Sequence, residues 1–234
     1  MTTYELHTAR ERVGISPKDA AALSRKLSAE LAAAGGHTDP NLSAEGLTAK
    51  RAELARTARQ RADAALGTLR SQLTSDSKAL GEFAEQRRPR VDADTMSRKW
   101  EQVRMRLDAG IPVQRIVAKA DAETLAAIRE YGDAWFETQH QSHQPSGVMG
   151  SEADTTASME QLNNSIDARL IEVGDDHTKW AVEADREARS AVAVFEQHAA
   201  HIGRLVAGTA SSSLESSVAA HFAGQAAGAA LAAE

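Results

Sequence analysis

Cysteine is absent from the 234 residues, so neither a disulfide nor a thiolate metal ligand can contribute to this chain. Aromatic residues make up only 4%, and much of the 42% hydrophobic content is alanine. Alanine buries little area per residue, so any core must be thin and spread along helices. Segments of alternating apolar and polar residues bounded by turns are also missing, and no β component is expected. No run reaches the roughly 18 apolar residues that span a bilayer. The nearest, Val218 to Ala233, is shorter and is interrupted by His221 and Gln225. The N-terminal MTTYELHTARERVG has no apolar signal core. These absences predict a soluble, cytoplasmic protein without a membrane partner.

Motifs that specify a reaction are lacking too. The glycines form neither GxxxxGK nor GxGxxG, and no serine sits in GxSxG. Two histidine pairs, His140 with His143 and His198 with His201, stand three residues apart. That spacing puts both rings of a pair on one helix face, but a metal needs further ligands and neither pair has the HExxH form. The sequence therefore predicts no catalytic residue, no metal site and no cofactor; the expectation is a protein that is not an enzyme.

What is present is helical periodicity. Ser16-Pro17-Lys18-Asp19 reads as a helix start, because Ser16 can cap and proline suits the first helical position. Ala20, Leu23, Leu27, Leu31 and Ala34 then form a stripe that Gly35-Gly36 ends. From Ser43 to about Arg88 no proline intervenes, and Leu47, Leu54, Ala58, Ala62, Ala65, Leu69, Leu73, Leu80 and Phe83 mark one long helix, or two with a break at Gly67 or Thr74–Ser77. A further helix starts near Asp92 or Asp94 and is closed by Gly110 and Pro112. The spacing next predicts a hairpin of helices at roughly 112–119 and 122–139, burying Ile116, Val117, Leu125 and Ile128. Met159, Asn163, Ile166, Leu170, Val173, His177, Trp180 and Ala184 alternate by four and three, and Ala188, Val192, Phe195, Ala199, Ile202 and Val206 continue them. Such a repeat argues for a coiled-coil-like helix, with Gly174-Asp175-Asp176 offering a break and His177 on the apolar seam.

The expected fold class is all-α, an elongated helical bundle or coiled coil with long alanine-rich helices and a central helical hairpin. The expected divisions are N-terminal helices over 1–88, a hairpin region over 89–140, a linker over 141–154, the long helix over 155–207, and a flexible joint with a small-residue terminal helix over 208–234. In that last segment Leu214, Val218 and Phe222 fall on one side and suit docking into a groove of a partner protein.

Charge is unevenly distributed. Residues 1–106 hold 19 of the 27 Lys+Arg and 14 of the 33 Asp+Glu, net +5, and the remainder carries net -11. Arg87 to Arg106 and Lys50 to Gln72 are each net +4. Arg87, Arg88, Arg90, Arg98, Lys99, Arg104 and Arg106 are thus candidate contacts for nucleic acid or for an acidic partner. The hairpin from Gly110 to Gly132 has the layout of a helix-turn-helix, yet residues 110–140 are net -2 and the second helix opens with Asp121, Ala122, Glu123 and Thr124. A phosphate backbone repels that end, so the hairpin is expected to pack rather than to read DNA.

The stretches RRPRVDADTMSRKWEQVRMRL and PVQRIVAKADAETLAAIREYGDAW, with the regular helix from Met159 to Val206, resemble in architecture the helical scaffolding and accessory proteins of tailed-bacteriophage virion assembly. That resemblance implies a structural protein that associates with itself and with other assembly proteins, in the host cytoplasm or the virion. The alternative from another class is a nucleic-acid-associated protein using residues 50–72 and 87–106.

Overall fold

The computed structural model describes residues 3–143 and 152–209, without the side chains of Asp133, of residues 137–143 and of residues 152–158. Seven helices follow one another among the described residues: α1 (Thr3–Gly35), α2 (Ala44–Arg87), α3 (Ala93–Asp108), α4 (Val113–Val117), α5 (Ala122–His143), α6 (Glu152–Val173) and α7 (Asp176–Ala207). The fold is all-α, with long helices packed against one another, and no strand occurs among the described residues.

The helix starts share one device. Asp92, Asp121 and Asp175 each accept a hydrogen bond from the backbone N–H three residues on, at Thr95 (2.9 Å), Thr124 (2.8 Å) and Thr178 (2.7 Å). These are N-caps that satisfy orphan donors of α3, α5 and α7. Ser43 does the same for Gly46 at the start of α2. At the end of α3, Gly110 adopts φ +80°, the Gly110 N–H donates to the Leu107 carbonyl and the Ile111 N–H to the Arg106 carbonyl. This Schellman ending brings Ile111 back alongside the last turn.

α1 does not begin at Ser16. It starts at Thr3 and runs through Pro17, which stands inside the helix. An interior proline removes one backbone donor and crowds the preceding turn, costing about 3 kcal/mol. Burial of Leu6, Ala9 and Val13 before it and of Ala20 and Leu27 after it outweighs that cost. The Ser16 hydroxyl, expected as a cap, instead donates to the Arg12 carbonyl within the helix (2.8 Å). α2 is a single 44-residue helix without a break at Gly67 or at Thr74–Ser77.

Two compact units divide the chain. The first takes the residues up to Leu80 together with those from Glu187 onward; the second is Gly81–Arg186. In the first unit Arg12 pairs with Asp76, and Arg51 donates to the His37 carbonyl, so α1 and α2 are antiparallel. Arg70 pairs with Glu196 and Arg59 lies beside Gly208, so α2 and α7 are antiparallel too. α1 and α7 therefore run parallel, joined by Arg10 to Glu187. Small and large residues alternate in the interior of this unit: Ala9, Ala20, Ala58, Ala62, Ala188 and Ala199 sit among Leu27, Leu66, Phe195 and Ile202.

The second unit has its own core of Val103, Ile116, Val117, Leu125, Ile128, Leu162, Ile166 and Leu170, with Trp100, Phe136 and Met159 packed against it. Ile116, Val117, Leu125 and Ile128 are buried as the hairpin spacing predicts. The long regular span is two helices, α6 and α7, parted at the break that Gly174-Asp175-Asp176 offers. A Cβ on Gly174 would lie 2.6 Å from the Leu170 carbonyl oxygen, so only glycine fits there. The break resets the apolar register. His177, expected on the seam, is exposed, and Thr178 is buried in its place, its hydroxyl donating to the Arg87 carbonyl (3.1 Å).

Candidate interaction surface

The seven cations of residues 87–106 do not form one face. Arg87 is exposed, and its guanidinium lies 5.1 Å from the centroid of the Phe83 ring, which itself meets Trp180 edge-on at 5.8 Å. Arg88, one of the candidate contacts, is only 10% exposed in its side chain and stands 2.8 Å from the carboxylate of Asp167, which is 3% exposed. Arg88 also donates from Nε to Glu85 (3.1 Å). This cation is a structural part of the second unit. Its burial was hidden because a cation beside a proline in a polar run has the composition of a loop. Arg90 is exposed.

Along α3, Arg98 folds back on its own helix, donating to the Asp94 carbonyl (3.4 Å) and to the Thr95 hydroxyl (3.0 Å). Lys99 pairs with Asp121 (2.6 Å) and Glu123 (3.2 Å), tying α3 to the start of α5. Partial burial pushes the Asp121 carboxyl up, but the hydrogen bonds from Lys99 and Thr124 outweigh it and hold the group at about 2. The acids at the front of the hairpin's second helix are therefore a cap and an ion-pair partner. Arg104 and Arg106 are exposed. A helix turns about 100° per residue, so they project about 200° apart, on opposite flanks of Met105. Met105 is 63% exposed and lies away from buried Val103.

The basic stretch of α2 is similarly divided. Lys50 pairs with Glu53 (2.9 Å), Arg51 with the His37 carbonyl (2.9 Å) and Arg70 with Glu196 (2.8 Å). Arg56 and Arg61 are exposed. Arg59 and Arg56 line a groove of about 450 Å³ with Ala52, Ala55, Gln60, Asp63 and Val206. A second, wider groove of about 750 Å³ runs along α2 over Ala64, Gly67, Thr68, Ser71, Gln72 and Ser75, with Arg12 and Asp76 at one end. There the Nε and Nη2 of Arg12 donate to the two oxygens of Asp76 at 2.8 and 2.6 Å. Sequence reading missed this pair, although the signal was available. Asp76 occupies the stripe position between Leu73 and Leu80, and a carboxylate on a seam demands a cation.

His201 is buried and His198 half-buried, on adjacent turns of α7. Burial lowers the basicity of both; the cationic forms of His201 and Arg25 add to this at His198, and Arg204 adds to it at His201. Among the described residues, no group of three or more His, Asp or Glu side chains could hold a metal ion. The side chains of His140 and His143 lie outside the described residues, as do Leu214, Val218 and Phe222 of the terminal segment. No helix among the described residues is long and apolar enough to cross a membrane.

No protein-family model matches the chain, and neither a curated protein nor a solved structure matches it.

Proposed function

We propose that this chain is a non-enzymatic assembly protein that works by helix–helix association with its own copies and with other structural proteins, as a component of viral head or virion assembly. The observation that carries this reading is the outer face of α2. Over three turns the residues that floor the wider groove are mostly small, Ala64, Gly67, Thr68, Ser71 and Ser75, with Gln72 among them. A second helix can approach such a backbone closely, and dispersion contacts grow steeply as the gap closes. The thin alanine-rich interior supports the same reading, since narrow seams on long helices gain stability from additional helical neighbours.

The test is light scattering on the full chain across a range of concentrations, with a parallel titration of duplex DNA at low and high salt. Concentration-dependent oligomers without DNA binding are expected. A compact monomer at every concentration would overturn the self-association reading. Strong, steeply salt-dependent DNA binding would favour the nucleic-acid alternative.

A further inference from the structure

Three arginines of the first unit fork a carboxylate through their Nε–Nη2 edge, and Arg59, which lies against Gly208, does not. Arg10 forks Glu187 (2.7 and 2.6 Å), Arg12 forks Asp76 (2.8 and 2.6 Å) and Arg70 forks Glu196 (3.0 and 2.8 Å). Arg59 is the exception. Its Nε is shielded from water and has no hydrogen-bond acceptor. Its guanidinium lies against Gly208, where an added Cβ would come within 3.3 Å of Nη2. An arginine stays charged at any relevant pH, and a shielded donor on it costs free energy until an acceptor arrives. Asp63 stands one turn along α2 in the same groove but forms no ion pair with Arg59. The groove thus has an apolar floor of Ala52, Ala55 and Val206, two guanidiniums, and a vacant fork.

We infer that the Arg59 groove is a carboxylate-binding site, filled by an acidic side chain from a second copy of this chain. Once the Arg59 side chain turns its shielded Nε outward, a planar carboxylate matches the Nε–Nη2 edge with two parallel hydrogen bonds, the geometry this unit uses three times. The choice of a second copy rests on charge complementarity and on the self-association reading above. Residues 107–234 carry net -11, and Glu130, Glu160 and Asp176 are exposed there without an ion pair. Residues 50–72 carry net +4, and Arg56, Arg59 and Arg61 there have neither an ion pair nor, like Arg51, a carbonyl partner. A contact that puts the cationic groove of one copy on an acidic surface of another is heterologous, so it builds rings or open chains rather than a closed two-fold dimer.

The experiment uses the full-length chain carrying Arg59→Lys, prepared in ¹⁴N and ¹⁵N forms, mixed in equal amounts and treated with a carbodiimide. The amine at position 59 then couples to any carboxylate in contact with it. Mass spectrometry should find mixed-isotope cross-links from position 59 to a carboxylate within residues 107–209. Cross-links only within one isotope, including to Glu215 of the same chain, would overturn the inference, and so would none. In parallel, Arg59→Gln should weaken self-association about tenfold in sedimentation equilibrium, the loss of one charged hydrogen-bonded pair. Wild-type self-association that Arg59→Gln leaves unchanged would refute the Arg59 site while leaving the assembly reading standing. A wild-type chain that never self-associates would refute both.

Discussion

Replacing Arg88 with methionine keeps the length of the side chain but removes the cation that stands 2.8 Å from the buried carboxylate of Asp167. With the two side chains only 10% and 3% exposed, water screens the pair little. Breaking a buried ion pair from one side costs about 3–5 kcal/mol, because the remaining charge loses its compensation. We take the lower end, about 3 kcal/mol, since Arg88 keeps a rim of solvent. The chain has three tryptophans, Trp100, Trp135 and Trp180, and all fall within Gly81–Arg186. Tryptophan fluorescence during urea unfolding therefore reports the second unit alone. For a unit of this size, about 3 kcal/mol corresponds to a fall in Tm of about 12 °C or more. Asp167→Leu alone should cost less, because Arg88 keeps its contact with Glu85, and the double variant Arg88→Met with Asp167→Leu should cost less than the sum of the two, since both changes remove one shared contact. Single variants within about 1 kcal/mol of wild type, or a double variant whose cost equals the sum of the two, would refute the reasoning. The same contact bears on any test of nucleic-acid binding. Neutralising Arg88 would destabilise the second unit and could imitate a loss of affinity, so Arg90, Arg104 and Arg106 are the positions to change.

Gly67→Ala should stabilise the first unit by about 1 kcal/mol, because a Cβ there meets nothing within 4 Å and alanine is the better helix former; circular dichroism melting checks it. Gly174→Ala should destabilise by more than that, since the Cβ meets the Leu170 carbonyl at 2.6 Å, and a Tm equal to wild type would count against the close approach. His198 and His201 are held below their ordinary value of 6.5 chiefly by burial, so the unfolded chain binds more protons below that pH. Stability should be full above about pH 6.5 and drain as the pH falls below it, and His201→Leu should flatten the fall in urea midpoint. Asp121, held at about 2, contributes stability above its ordinary 3.8 that disappears as the pH falls through 2, and Asp121→Asn should remove part of that acid sensitivity in the tryptophan signal.

Much of the helical layout was legible because its signals are local. Asp121 and Asp175 could be read as caps from the residues that follow them, Gly110 and Pro112 as a stop, and Ile116, Val117, Leu125 and Ile128 as one buried set. The misreadings arose where tertiary packing overrules local preference. Pro17 has the signature of a helix start, yet the stripe from Leu6 to Leu27 carries the helix through it. The four-three repeat carried His177 into the seam because a count along the sequence cannot register the reset at Gly174. Arg88 and Asp167 are 79 positions apart, as are no local signals, and only the fold shows that they meet. The two grooves had no sequence signature beyond small and basic residues, which are equally common on solvated faces.

The first unit is interrupted in sequence by the second, and this has a consequence in time. During synthesis α1 and α2 emerge first, but the third helix of their unit is not complete until residue 207 has been added. At about 5–20 residues per second, the interval from Leu80 to Ala207 lasts on the order of 6–25 seconds. Throughout it the stripe of Leu6, Val13 and Leu27 and that of Leu66, Leu73 and Leu80 lack α7, whereas the second unit is contiguous and has all its residues once Arg186 is made. A nascent chain of this protein therefore offers neighbouring chains an open two-helix seam for many seconds, and copies made from one message have their first opportunity to meet before either is finished.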